Sequence, residues 1–337
     1  MAMNGAPGIF VHGTGAVSPA GWGVEKLCGA WRENHPLPVQ ELARPGWDSK
    51  LKVRHVPPPA TRPEFLAHPR LRRSTAVAQY TVAAALEAIG ADAAEIRSGQ
   101  LQLGVVVCVL SGGVTYSRRF YEEVLRDPST ASPLLFPETV FNSPASHLAS
   151  FINSDALNYT LVGDGGAFLQ GLALAADWLA DERVNACVVV GAEENDWIVS
   201  DALDLFAHET VHAAGAGAIY LKTAASGAAA ELGRITDAFS FTGRQNRAEA
   251  VRQMRAQLPA CAPGGLFSIE QARAIFGEAF TASAAWTCVA ACEAVRRGKA
   301  PSVVSVPGRH QQAIGAQFVK ANDLACARRD KSAACAA

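Results

Sequence analysis

Two short stretches constrain this chain most: L-Q-L-G-V-V-V-C at Leu101–Cys108 and A-C-V-V-V-G at Ala186–Gly191. Both are apolar, rich in β-branched residues, and free of polar alternation. A strand with one wet face alternates, so a strand without alternation is covered on both faces. Further strand-like runs lie at Ile9–Thr14, Tyr159–Val162, Ala216–Lys222, Ile235–Phe241, Ser302–Val306 and Ile314–Val319. Helical patterns lie at Thr75–Ile89, Ser117–Leu125, Ala145–Ile152, Ala167–Asp181, Arg247–Leu258 and Ala282–Arg297. In the clearest of them Phe168, Leu172, Ala175, Ala176 and Leu179 share one face. The alternation predicts an α/β fold with a mixed or largely parallel sheet. Two similar blocks are expected, 1–224 and a shorter 225–337, packed as one compact unit. The stretches Arg44–Phe65 and Pro259–Gly265 read as loops, neither long enough for a flexible interdomain linker.

With 337 residues, 49% hydrophobic and 18% charged, the chain has material for a large core. A formal charge of −1 gives no pull towards nucleic acid or an acidic membrane surface. No apolar run nears the length of a membrane span, and no basic-then-apolar leader opens the chain, so a cytoplasmic location is expected. The cysteines form no C-x-x-C. Cys187 falls in a buried run, and Cys288 and Cys292 share a helix face with no matching His/Cys pair, so reduced core thiols are expected. Hydrolase elbow, dinucleotide and P-loop signatures are absent, and no metal or organic cofactor is implied. The H-G-T-G at His12–Gly15 reads as a glycine turn after the first strand. Glu193 and Glu194 follow a buried strand, where acids can act in a site, cap the next segment, or face a subunit interface.

The stretch L-V-G-D-G-G-A-F-L-Q-G at Leu161–Gly171 turns a strand into a helix. Such a turn is a common seat for a nucleophile. Here it holds Asp164, Gly165 and Gly166. Asp164 is the expected N-cap of the helix, since its carboxylate can accept from early amides and suits the helix dipole.

Six segments, in order, carry a resemblance. I-F-V-H-G-T-G-A-V-S-P-A-G-W-G opens the chain. L-G-V-V-V-C-V-L-S-G-G, L-F-P-E-T-V-F-N-S-P-A-S-H-L-A and V-N-A-C-V-V-V-G-A-E-E follow. A-G-A-G-A-I-Y-L-K and A-I-F-G-E-A-F-T-A-S-A-A-W-T-C-V-A-A-C-E-A-V-R-R-G-K-A-P complete the set. Together they resemble the β-ketoacyl synthases of the thiolase superfamily across most of the chain. The resemblance implies a layered αβαβα fold with two pseudo-repeated halves, the second shortened.

It also implies a degenerate site. The family's nucleophilic cysteine falls at Gly165, with Asp164 before it. A condensing enzyme needs that thiolate to carry the acyl chain as a thioester, and glycine has none. One family histidine falls at Glu278. The other belongs to a late H-G-T-G-T that is missing between Leu232 and Gln271. The glycine-rich loop that closes the site reads G-R-H-Q-Q-A-I-G, with His310 and Gln311. The expected pocket therefore gathers Asp164, Gly165, Gly166, Glu278, His310 and Gln311. Enolate charge wants donors or cations, and a carboxylate at 278 reverses that. The pattern resembles the chain-length factor of type II polyketide assembly, which pairs with an active ketosynthase and an acyl carrier protein. Its interface is expected around Phe136–Leu148 and the helix after Gly165, with His147 packed there rather than catalytic. Two other readings stay open: acyl or thioester chemistry with Asp164 and Glu278 as coupled acid and base, their like charges disfavouring a second anion if close, and a homodimeric scaffold that binds carrier-linked acyl groups.

Overall fold

The computed structural model describes residues 7–207, 210–239, 246–262, 264–298, 301–308 and 312–321. Strand β1 (Phe10–Ser18) runs through the middle of a ten-stranded mixed sheet. On one side of it lie β9 (Gly215–Lys222), β7 (Ala186–Glu193), β5 (Leu103–Val109) and, at the edge, β6 (Asn158–Val162). On the other lie β10 (Ala230–Phe239), β13 (Gln312–Val319), β12 (Ser302–Pro307) and the short β11 (Leu266–Ser268). The short β2 (Gly21–Trp22) folds back on β1. β5 pairs in parallel with both β6 and β7, whereas β1, β9, β10 and β13 pair antiparallel. A small second sheet joins β3 (Gln40–Leu42), β4 (Leu51–Arg54) and β8 (His212–Ala213).

The helices are α1 (Val24–Glu33), α2 (Ala76–Ile89), α3 (Ala93–Arg97), α4 (Val114–Arg126), α5 (Phe136–Thr139), α6 (Ser143–Ile152) and α7 (Gly166–Ala180). They continue with α8 (Trp197–Phe206), α9 (Asn246–Gln257), α10 (Ile269–Phe276) and α11 (Phe280–Arg296). The pleat of β5 shows how they layer. Val105, Val107 and Val109 join the core formed with α2 and α6. Val106 and Cys108 join the core of α7 and α11, which on its far side takes in Val304, Ile314 and Phe318 of β12 and β13. A third core seats Ala250 and Met254 of α9 against Val303 and Ala313. Successive side chains of a strand point to opposite faces, so both faces of each half-sheet are covered. The result is the αβαβα layering that the resemblance implies.

The eight sequence-derived strands and six sequence-derived helices all form, with ends shifted by a few residues, except that Ser240 and Phe241 of the expected Ile235–Phe241 strand lie outside the described residues. Four expectations need correction. His12–Gly15 is no turn but the interior of β1. Its glycines are needed for closeness: a Cβ on Gly13 would lie 2.0 Å from Ala88 O, and one on Gly15 1.9 Å from Ala84 O, both on α2. The loop expected at Arg44–Phe65 contains β4, whose Val53 is fully buried. Helix α7 is not one-faced, because Leu169 and Trp178 are buried as well, as its place between two strand layers requires. Its N-cap is Gly165 rather than Asp164. Helices α1, α8 and α10 were not legible from periodicity. Cys187, Cys288 and Cys292 are buried in the core as expected, with Cys108 beside them, whereas Cys261 is only half-buried, and Cys326 and Cys335 lie outside the described residues. Among the described residues, no helix is long and apolar enough to cross a membrane.

Candidate functional site

The turn after β6 is tied down by backbone bonds. Gly163 N–H donates to Val109 O at 3.0 Å, and Ala167 N–H to Asp164 O at 2.9 Å. The Asp164 carboxylate accepts the Gly166 N–H at 2.9 Å. It thus serves the helix N-terminus from one residue before the cap position, satisfying an amide that has no intrahelical acceptor.

Gly165 itself has ordinary helical dihedrals, φ −52° and ψ −29°. The constraint on it is space. A Cβ there would meet Ile269 Cδ1 at 2.8 Å, Phe280 O at 3.2 Å and Val306 Cγ1 at 3.4 Å. The place where a side chain at 165 would start is filled by an isoleucine from α10 and a backbone carbonyl from α11. Gly166 is less confined, with Asp164 Oδ1 at 3.2 Å and Ile314 Cγ2 at 3.4 Å from its Cβ position.

Glu278 occupies the turn between α10 and α11, next to Gly277 at φ +95°, a value that favours glycine. It is 2% exposed. Its carboxylate accepts the Phe280 N–H at 2.8 Å and forms an ion pair with Arg273 Nε at 2.6 Å. Its backbone bridges to β8: Glu278 N–H donates to Val211 O at 2.8 Å and Ala213 N–H donates to Glu278 O at 2.9 Å. Phe280 follows with φ +43°, a strained value for a bulky residue. The fold thus brings the 277–280 turn onto Gly165 through the Phe280 carbonyl. The two carboxylates, however, have different engagements: Asp164 serves the α7 N-terminus and Glu278 serves Arg273 and the α11 N-terminus. His310 and Gln311 lie outside the described residues.

His212 on β8 also borders this turn. It is 1% exposed, its Nδ1 is 2.7 Å from Ser200 Oγ, and its ring centroid is 6.0 Å from that of Phe280. Burial, with a smaller contribution from nearby His55, lowers its pKa to about 4, so the ring is neutral at pH 7. The thiol of Cys108 at the end of β5 donates to Ala167 O at 3.4 Å, and burial pushes its pKa well up. Such a thiol is inert as a nucleophile.

Glu193 and Glu194 resolve among the three roles open to them. The Glu193 carboxylate accepts Leu110 N–H at 2.6 Å, Ser111 N–H at 3.1 Å and Ser111 Oγ–H at 2.6 Å, with Thr281 Oγ 3.1 Å away. Glu194 accepts Val77 N–H at 3.1 Å and Thr115 N–H at 2.8 Å. Both therefore secure loop ends and helix starts around the sheet. His147 on α6 lies 2.8 Å from Glu138 Oε1 of α5. Arg273, Ile269, Phe280 and His212 were not singled out from sequence. Arg273 stands five residues before its partner Glu278, a spacing with no helical meaning, so no local signal marks it.

No model of a known protein family matches the chain, and no curated protein matches it. Solved structures do. One is described as the ishigamide ketosynthase/chain length factor, at TM-score 0.75 and 17% identity, covering 92% of this chain and 99% of that one. A second is a type II PKS acyl-carrier protein in complex with its ketosynthase bound to the hexaketide, at TM-score 0.74 and 13% identity, covering 94% and 99%. A third is a beta-ketoacyl synthase from Burkholderia phymatum STM815, at TM-score 0.73 and 15% identity, covering 93% and 99%. The chain has the thiolase-like fold of the ketosynthases.

Proposed function

We propose that this chain is a non-condensing, ketosynthase-like subunit of chain-length-factor type, which pairs with an active ketosynthase served by an acyl carrier protein. The observation that carries the reading is the filled space at Gly165. Condensation needs a thiolate there, and the position has neither a thiol nor room for one. The Arg273 ion pair and the Phe280 N–H bond of Glu278 support a structural role for that carboxylate, in place of a histidine that would assist decarboxylation.

The edge strand supports pairing. Strand β6 has β5 on one side only, and Tyr159 and Val162 are each 54% exposed. Beside it Leu157, Tyr159, Leu161, Leu174 and Trp178 line an apolar groove of about 570 Å³. Leu134, Phe136 and Phe141 are exposed nearby in sequence. An unpaired edge with apolar side chains invites another chain unless it is covered. Native mass spectrometry of the protein purified gently from its host tests this. A one-to-one complex with a cysteine-bearing ketosynthase is the expected result, and a homodimer without companion would count against the reading. Val162→Lys is expected to weaken the pairing at least about tenfold, roughly 1.4 kcal/mol.

Gly165→Cys tests the silent site. Overpacking against Ile269 and the Phe280 carbonyl is expected to lower stability by about 1–3 kcal/mol. Intact-mass measurement after incubation with an acyl thioester is expected to find no adduct at that cysteine. Stoichiometric acylation with unchanged stability would mean that the site is open.

A further inference from the structure

Glu278 of the 277–280 turn also lines a cavity of about 770 Å³ whose described lining does not include Gly165. Its charged lining is Arg54, Arg247, Arg273, Glu270 and Glu278, with Phe206 and Val211 among the apolar residues. Two of the arginines have carboxylate partners: Arg273 with Glu278 at 2.6 Å and Arg247 with Glu270 at 3.9 Å. Arg54 has none. It is 6% exposed, and its only hydrogen bond among the described residues runs from Nε to Leu37 O at 2.8 Å. Its Nη1 lies close to Gly277, 3.6 Å from where a Cβ would stand. The guanidinium is therefore held at the cavity wall, and its terminal N–H groups have no acceptor among the described residues.

A cation taken largely out of water gains from an anionic partner. Burial indeed lowers the pKa of Arg54 from the usual arginine range. The guanidinium fork matches the two oxygens of a carboxylate or phosphate. The cavity size is that of small-molecule sites, and one side of it is apolar. We propose that this cavity binds a small organic anion, its carboxylate or phosphate seated on Arg54 with Arg247 beside it and its apolar part against Phe206 and Val211. The cavity shares Glu278 with the 277–280 turn, but its described lining includes no residue of the Gly165 turn or of β6.

Titration calorimetry on the full chain tests it, with inorganic phosphate and hexanoate as probes. Saturable one-to-one binding of either probe is expected. Binding of phosphate alone assigns a phosphate group, and binding of hexanoate alone assigns a carboxylate with an apolar tail. Arg54→Gln and Arg247→Gln are each expected to weaken it at least about tenfold, while Arg296→Gln on α11, which pairs with Glu293, leaves it unchanged. Arg247 is half exposed, so its variant keeps the test alive if Arg54→Gln fails to fold. The proposal is overturned if neither probe saturates below about 10 mM, or if both site variants bind as the unaltered protein does.

Discussion

Glu193→Ala is expected to lower stability by roughly 2–5 kcal/mol. The loss follows from its partners. The substitution strips the acceptor from Leu110 N–H, Ser111 N–H and the Ser111 hydroxyl, and each part-buried donor left unanswered costs about 1–3 kcal/mol. A chain of this kind has only about 5–15 kcal/mol in total. Urea unfolding of the variant measures the loss directly. A midpoint equal to that of the unaltered protein would show that these donors find water, and would remove Glu193 from the scaffold. The same residue predicts a pH effect. Burial, offset in part by its hydrogen bonds, raises its pKa to about 7 from 4.5. Between those values the folded state binds more protons than the unfolded one. Stability contributed by Glu193 is therefore present below about pH 4.5 and is lost as pH rises to about 7, by roughly 3 kcal/mol. His212 has the opposite sign. Its folded pKa is about 4 against 6.5, so its contribution grows as pH rises between those values. The two largely oppose each other across one window, and the diagnostic is the difference between the unaltered protein and Glu193→Gln. That difference curve is expected to slope across pH 4.5–7, and a flat one would refute a Glu193 that protonates in the folded state.

Gly15→Val is expected to leave no folded protein. The first added carbon falls 1.9 Å from Ala84 O and 2.8 Å from Ala84 C, both backbone atoms of α2. A crowded side chain can turn away, at about 1–3 kcal/mol for ordinary overpacking. A helix carbonyl can move only with its helix, and α2 is itself packed on β1, β9 and β7 through Ala84, Ala85 and Ala88. Soluble yield and far-ultraviolet circular dichroism report the outcome. A soluble variant with the original melting temperature would mean that α2 does not rest on β1.

These two residues mark how far local sequence carried. Glu193 was legible as an acid at the end of a buried strand, but its role was one of three. Only the fold places Leu110, Ser111 and Thr281 around it, from segments about 80 residues away on either side. Gly15 was legible as a glycine in H-G-T-G, and the turn expected there was wrong. Local composition records that a side chain is missing, and cannot record that a helix 70 residues later needs the space.

The apolar runs determined the architecture by themselves. Strands such as Leu103–Val109 and Ala186–Glu193 have no wet face, so helices must cover both sides, and the alternation of elements supplies them. The absence of a thiol at 165 was equally a property of the sequence, since a glycine carries no sulfur in any fold. Tertiary structure alone decided that the vacancy is filled. Ile269 and Phe280 reach Gly165 from more than 100 residues away, and the turn that delivers Phe280 is held by Arg273 and by β8. It decided as well that Arg54, unremarkable in a stretch read as loop, stands at a cavity wall with no carboxylate partner among the described residues. Periodicity reports which face of an element is buried, while contacts between distant elements depend on how whole layers stack.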